Sequence, residues 1–119
     1  MTLRLALLKI PVTDVTASVA FYEAVLGRAA VFVSDEYGWA QFDHPEPGLA
    51  LYVPGKGGGD ATPGGSVGFH LSAPDLDVLH ARLRPLTETA SIHSNADGSK
   101  SLELNDPDGN TLKIMEEHA

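Results

Sequence analysis

Hydrophobic and polar residues follow the same succession of periods in both halves of the chain. In the first half, the apolar run LRLALLKIPV predicts a strand, and TDVTASVAFYEAVLG predicts a helix. The apolar residues at helical spacing are Val15, Val19, Tyr22 and Leu26. Thr13 or Asp14 suits the start of this helix, and Gly27 suits a left-handed C-terminus. Three strands are predicted after it, in AAVFVS, YGWAQFD and LALYV.

The second half repeats this order of elements. SVGFHLSA predicts a strand, and PDLDVLHARL predicts a helix with Asp75 near its start. TASIHSN, KSLELN and TLKIM predict three more strands. A tight turn is expected between the last two, because Pro107 presets its second position and Gly109 accepts a positive φ.

A glycine-rich segment separates the halves. Residues 54–65, PGKGGGDATPGG, contain six of the twelve glycines and two of the prolines, so no regular element is expected there. We interpret it as a linker between module 1 (residues 1–53) and module 2 (residues 66–119). Each module reads as βαβββ, and the 119 residues suit a single α+β domain.

Composition and charge narrow the classes of function. The net charge of −8 disfavours nucleic acid, whose phosphates the surface would repel, and favours a cationic ligand. The sequence has no apolar run of about 18 residues, so no membrane association is expected. The absence of cysteine excludes disulfides and thiolate sites and is compatible with a cytoplasmic location.

Two stretches resemble a known family. IPVTDVTASVAFYEAVLG and the later NDPDGNTLKIME are similar to the vicinal-oxygen-chelate superfamily, which includes glyoxalase I, bleomycin-resistance proteins, fosfomycin-resistance enzymes and extradiol dioxygenases. The resemblance implies two βαβββ modules that form a curled, eight-stranded mixed sheet. It also implies a homodimer with a pocket inside each cup-like sheet.

The resemblance also implies four metal-ligand positions, which this sequence fills with unsuitable residues. They fall on Leu7, on Ala50 or Tyr52, on Gly68 and on Lys113. Divalent ions need converging imidazole or carboxylate donors, and an ammonium group would repel them. We therefore predict no metal and no other cofactor.

Strand alternation predicts which polar and aromatic residues face the cup: Trp39, Gln41, Tyr52, His70, Glu103 and Lys113. His70 suits a general base or a hydrogen-bonding group, or is a histidine satisfied by neighbouring strands. Lys113 suits an anchor for an anionic or carbonyl group, a Schiff-base lysine, or a salt bridge with Glu103. Trp39 and Tyr52 either stack on a flat ligand or fill space. Gln41 could add a hydrogen bond.

Two main functional hypotheses follow. The first is a metal-free protein, similar to bleomycin-resistance proteins, that sequesters a small cationic or aromatic molecule in the cup or in the dimer cleft. The second is an enzyme, either a lyase or dioxygenase with an atypical metal site, or a metal-free isomerase that uses His70 and Lys113. A purely structural dimer subunit is the third.

Overall fold

The computed structural model of the protein describes residues 1–43 and 47–117. Its chain divides into two compact units, Met1–Gly64 and Gly65–Ala119. Each unit contains one helix and one four-stranded mixed sheet, in the order βαβββ. This confirms the predicted α+β class and the two βαβββ modules, with four strands in each sheet.

The first unit contains the elements β1 (Leu7–Pro11), α1 (Val15–Leu26), β2 (Phe32–Ser34), β3 (Trp39–Phe42) and β4 (Gly48–Tyr52). Its sheet has the strand order β1-β4-β3-β2. β1 runs parallel to β4, while the remaining pairs are antiparallel. α1 therefore connects β1 to β2, which belong to the same sheet, as in a βαβ crossover.

The second unit contains the elements β5 (Leu71–Ala73), α2 (Leu76–Leu83), β6 (Ser91–Ser94), β7 (Lys100–Asn105) and β8 (Thr111–Glu116). Its strand order, β5-β8-β7-β6, matches that of the first unit element by element. β5 is parallel to β8, and the other pairs are antiparallel.

Both helices begin at an aspartate. The Asp14 side chain accepts a hydrogen bond from the Ala17 amide at 3.1 Å, and Asp75 accepts from the amides of Asp77 and Val78. Such caps satisfy amides that have no partner inside the helix. α1 ends at Gly27, whose φ of 72° is the predicted left-handed conformation.

Each helix packs on one face of its own sheet. α1 contacts β2, β3 and β4, and α2 contacts β6 and β7. The side chains that alternate toward α1 are almost completely buried: Ile10, Val12, Ala40, Phe42, Leu49 and Leu51. In the second unit the corresponding buried residues are Leu102, Leu104, Leu112 and Ile114. The opposite face of each sheet is therefore the face on which a ligand could be bound.

The prediction of one continuous strand over SVGFHLSA is wrong. Ser66 forms an isolated bridge with Thr111, and regular pairing starts again where Leu71 lies opposite Ile114. Ser66 and Leu71 are five residues apart, whereas their partners on β8, Thr111 and Ile114, are three residues apart. Two extra residues therefore bulge out of the ladder around Gly68 and Phe69. A bulge of this kind breaks the alternation on which strand-face predictions depend.

Neither helix in the described part of the chain is long and apolar enough to cross a membrane.

Candidate functional site

The face of the first sheet opposite α1 carries a group of aromatic and polar side chains, which we call the aromatic face: Lys9, Trp39, Gln41 and Tyr52. Trp39 lies directly opposite Tyr52 in the pairing of β3 with β4. Ala50, in the middle of β4, lies opposite Gln41 on one side and Lys9 on the other. Partners in register point to the same side of a sheet, so these four side chains share one face.

The Trp39 indole is held by its own strand. Its Nε1 donates a hydrogen bond to Oε1 of Gln41 at 3.2 Å, and Nε2 of Gln41 donates to Oδ1 of Asp43 at 3.2 Å. Residues two apart on a strand lie on the same face, which makes this row possible. The row fixes the plane of the ring, and it engages both ends of the Gln41 amide.

A segment of the glycine-rich region lies against the two rings. A methyl group added at Gly58 would be 2.9 Å from Cζ3 of Trp39 and 3.0 Å from Cβ of Tyr52. One added at Gly59 would be 2.9 Å from Cε2 of Tyr52. Glycine is therefore required at both positions by close approach of the backbone. As a result Tyr52 is only 5% exposed, although its face lies away from α1.

Lys9 joins this segment to the aromatic face. Its Nζ donates a hydrogen bond to the carbonyl oxygen of Gly58 and lies 5.3 Å from the centre of the Tyr52 ring. That distance is within the range of a cation–π interaction. A positive charge beside the aromatic pair thus belongs to a residue that sequence reasoning missed.

The second sheet carries a more polar row on the face opposite α2. Lys113 of β8 lies opposite Glu103 of β7, which in turn lies opposite Ser91 of β6. Oγ of Ser91 is 2.9 Å from Nε2 of His93. Lys113 and Glu103 are half-buried, whereas His93 is exposed. The structure therefore brings Glu103 and Lys113 together, which suits a cross-strand charge pair and a polar anchor equally well.

His70 does not lie on a strand. It precedes β5, follows the bulge and is exposed. The prediction that His70 faces the cup from a regular strand is corrected by that bulge, which displaces His70 and Gly68 from the ladder. The remaining predicted residues fall into two separate groups, one on each sheet: Trp39, Gln41 and Tyr52, and Glu103 and Lys113.

The residues at the family's metal-ligand positions do not fit a metal. Leu7 has a hydrocarbon side chain, whose Cδ1 would lie 3.4 Å from a methyl group at Gly48. At the second position Ala50 is completely buried, and the alternative, Tyr52, is 5% exposed with its ring against Gly59. A methyl group at Gly68 would meet open space, and Lys113 carries an ammonium group. Residues 1–43 and 47–117 contain no group of three or more histidine, aspartate or glutamate side chains that could hold an ion. Carboxylates and imidazoles are the donors such a site needs.

A depression of about 440 Å³ lies at the start of α1. Asp35, Thr16 and Lys56 are among the residues that line it. Oγ1 of Thr16 donates to Oδ1 of Asp35 at 2.8 Å, and Nζ of Lys56 donates to the Asp35 carbonyl oxygen at 3.2 Å. These bonds connect the lining residues to one another. The aromatic face is the better candidate for a site, because it places two paired rings beside the Lys9 ammonium group.

Lys9 escapes sequence reasoning because β1 is apolar on both faces. LLKIP has no alternation, so the side to which Lys9 points is set by the pairing with β4. The available signal was the lysine itself, since a charge inside an apolar strand faces away from the helix-packed core.

Comparison with known proteins identifies the fold and the family to which the sequence corresponds. The family model described as Glyoxalase/Bleomycin resistance protein/Dioxygenase superfamily matches residues 4–114. No curated protein sequence matches the chain significantly.

Several solved structures are similar over almost the whole chain. A member of the glyoxalase/bleomycin resistance protein/dioxygenase superfamily from Sphaerobacter thermophilus DSM 20745 has a TM-score of 0.81 and 25% identity, covering 98% of this chain and 99% of that one. Lactoylglutathione lyase from Agrobacterium tumefaciens has a TM-score of 0.78 and 23% identity, covering 93% and 91%. A bleomycin-binding protein complexed with bleomycin has a TM-score of 0.68 and 23% identity, covering 98% and 100%.

Proposed function

Because the chain belongs to the glyoxalase/bleomycin resistance protein/dioxygenase superfamily, we propose that it binds a small aromatic molecule, without a metal, on the aromatic face of its first sheet. The observation that carries the proposal is the pairing of Trp39 with Tyr52 on a face from which α1 is absent. Two neighbouring rings offer a flat ligand a stacking surface, and such contacts are worth about 0.5–1.5 kcal/mol beyond the area they bury.

The metal-independent part of the proposal rests on the chemistry of the side chains. Hydrocarbon or one phenol, a glycine and an ammonium group occupy the positions where relatives would need acids or imidazoles. Glyoxalase-like or dioxygenase-like chemistry at those positions would lack the three or four converging acid or imidazole donors that it needs. The similarity to lactoylglutathione lyase therefore supports the fold of this chain and does not support the same reaction.

The charge near the rings selects between the two predicted ligand types. The net charge of −8 acts at long range and favours cations, but the Lys9 ammonium lies 5.3 Å from the centre of the Tyr52 ring. Coulomb interactions weaken with distance and with screening, so the nearest charge dominates within the site. We therefore favour an aromatic ligand with a carbonyl or carboxylate acceptor over a cationic one.

Related structures are compatible with a binding role. The bleomycin-binding protein complexed with bleomycin has this fold and holds a small molecule. The proposal includes the homodimer and the cytoplasmic location predicted from the sequence. An isomerase that uses His70 and Lys113 is not proposed, because His70 lies outside β5 and is exposed.

The test is calorimetric titration in the presence of a chelator, with a matched pair of probes. We expect 2-naphthoate to bind the wild-type protein and 2-naphthylmethylammonium to bind at least about tenfold more weakly, since each 1.4 kcal/mol is a factor of ten. The substitution Trp39→Leu should weaken 2-naphthoate binding by about tenfold, which is the usual scale for losing one stacked aromatic ring.

Tyr37→Leu is the matched control, because Tyr37 is an aromatic residue in the turn before β3 and is 63% exposed. It should leave the affinity unchanged. Binding that requires added Zn²⁺, or that survives Trp39→Leu unaltered, would contradict the proposal. Turnover of a 2-oxo acid that depends on His70 would favour the enzyme hypothesis instead.

A further inference from the structure

We propose that residues Gly55–Gly59, which we call the glycine strap, are a displaceable cover over Trp39 and Tyr52, closed in the ligand-free protein and held by Lys9. The inference rests on the proposed function, since the ligand would take the place of the strap. It adds a conformational step to binding and assigns Lys9 a second hydrogen-bond partner, the acceptor group of the ligand.

The strap occupies the surface that a ligand would need. Gly58 and Gly59 lie so close to the two rings that a single methyl group at either would overlap ring atoms at 2.9 Å. Backbone without side chains thus packs against the rings where a flat ligand would lie. The aromatic face is therefore covered from within the same unit.

The strap is held mainly through polar contacts at exposed positions. Gly55 N–H donates to the Gly59 carbonyl at 3.1 Å, so the strap closes on itself. Lys9 donates to the Gly58 carbonyl, and Lys56, the second residue of the strap, donates to the Asp35 carbonyl at 3.2 Å. Both lysines are exposed, so water competes for these bonds. Four of the five strap residues are glycines, which bury no side chain and regain much conformational freedom on release.

Lys9 couples the strap to the ligand. While the strap is closed, its ammonium group donates to the Gly58 carbonyl, which lies beside the rings. When the strap leaves, the same donor is available to a carbonyl or carboxylate stacked on Tyr52. The exchange conserves a charge-assisted hydrogen bond, so a ligand with such an acceptor opens the strap at a lower cost than one without it. Lys9 thus acts as a latch and as a specificity-determining residue.

Trp39 makes the cover directly measurable, because it is the single tryptophan of the sequence. Quenching of its fluorescence by acrylamide reports how often the strap leaves the ring, with no ligand present. Gly58→Ala should raise the quenching constant, because the added methyl group cannot fit against the ring. Gly65→Ala is the matched control, since a methyl group there meets nothing within 4 Å.

Lys9→Met is the second variant, and it keeps the side chain out to Cε while removing the ammonium group. Losing one charge-assisted hydrogen bond should raise the open population by about tenfold. We expect quenching to increase in this variant as well. It adds no bulk next to the rings, so it tests the latch even if Gly58→Ala disturbs folding, which circular dichroism would reveal.

Titration with 2-naphthoate and 2-naphthylmethylammonium completes the test. Molecules with a closed strap cannot bind the probe, so the apparent affinity is proportional to the fraction with an open strap. Gly58→Ala should therefore bind 2-naphthoate more tightly than the wild type, by the same factor as its open fraction increases. Lys9→Met should lose the preference for the carboxylate probe, because the donor is gone.

Each outcome bears on one statement. Equal quenching of wild type, Gly58→Ala and Lys9→Met would overturn the cover, whatever binds. Increased quenching with unchanged affinity would overturn displacement by the ligand while leaving the proposed function intact. If neither probe binds even to the opened variants, the proposed function fails and displacement with it, while the quenching result still decides whether the strap is a cover.

Discussion

The turn between β7 and β8 is organised around one buried carboxylate, which makes Asp106→Ala the most informative stability test. Oδ1 of Asp106 accepts hydrogen bonds from the amides of Asp108 at 2.9 Å and Asn110 at 2.8 Å. Oδ2 accepts from the Asn110 side-chain amide at 2.8 Å. Asp106 is 6% exposed and Asn110 is 2% exposed, so water cannot easily replace the lost partner.

The magnitude follows from these three bonds. A hydrogen bond to a charged acceptor contributes about 1.5–3 kcal/mol, and a buried donor left without a partner costs about 1–3 kcal/mol. The terms overlap within one network, so we expect Asp106→Ala to lower the free energy of unfolding by about 4 kcal/mol. Asp106→Asn keeps one acceptor oxygen but places its amide against that of Asn110, and it should cost about 2 kcal/mol.

Asp97→Ala provides a matched control in the turn between β6 and β7. The Asp97 carboxylate accepts from the amide and the hydroxyl of Ser99 at 3.0 and 2.6 Å, but it is exposed. Water can replace it there, so the loss should be about 1 kcal/mol. Urea unfolding followed by circular dichroism measures all three variants, with the slope checked for two-state behaviour. An Asp106→Ala loss no larger than that of Asp97→Ala would refute the argument from burial.

Three further predictions follow from the fold and the site. Gly27→Ala should lower the free energy of unfolding by about 1 kcal/mol, because alanine is strained at the φ of 72° that ends α1, and Ala24→Gly inside that helix gives the comparison for helix propensity. Lys113→Glu should lower the unfolding midpoint modestly, because it places a second carboxylate opposite Glu103, and it should alter which probes the protein retains; an identical binding profile would show that Lys113 does not line a site. Dialysis against a chelator should shift the melting temperature by less than about 1 °C, since no bound ion would be lost, and a large drop would reveal one.

The βαβββ order was predictable because each element carries its own local signal. The helix bounded by Asp14 and Gly27 needs only its caps and its apolar spacing, and these lie within one stretch of sequence. β7 was predicted to the residue, Lys100–Asn105, because polar and apolar residues alternate through it and a strong turn follows.

The errors come from features that depend on distant partners. The bulge around Gly68 exists because Ser66 pairs with Thr111 while Leu71 pairs with Ile114, and local alternation carries no record of that mismatch. The position of Lys9 on the aromatic face is likewise fixed by the register of β1 with β4. Neither follows from a pattern within a single strand.

The glycine-rich segment has a packing role that its composition does not predict. Its composition correctly predicts the absence of regular secondary structure, and the same composition suggests a solvated linker. The packing of Gly58 against Trp39 requires the absence of a side chain, so a feature typical of flexible segments here serves close contact. Composition alone does not distinguish these two uses of glycine.

Because the two units have the same strand order, their registers show which residues of the two sheets occupy corresponding positions. Gln41 lies opposite Ala50 in the first unit, as Glu103 lies opposite Lys113 in the second. Two positions further along β4 and β8, Trp39 and Tyr52 therefore correspond to Ser101 and Met115. The pair of rings is present on the first sheet and absent at the corresponding positions of the second, so a saturating aromatic ligand should occupy one site per chain and never two.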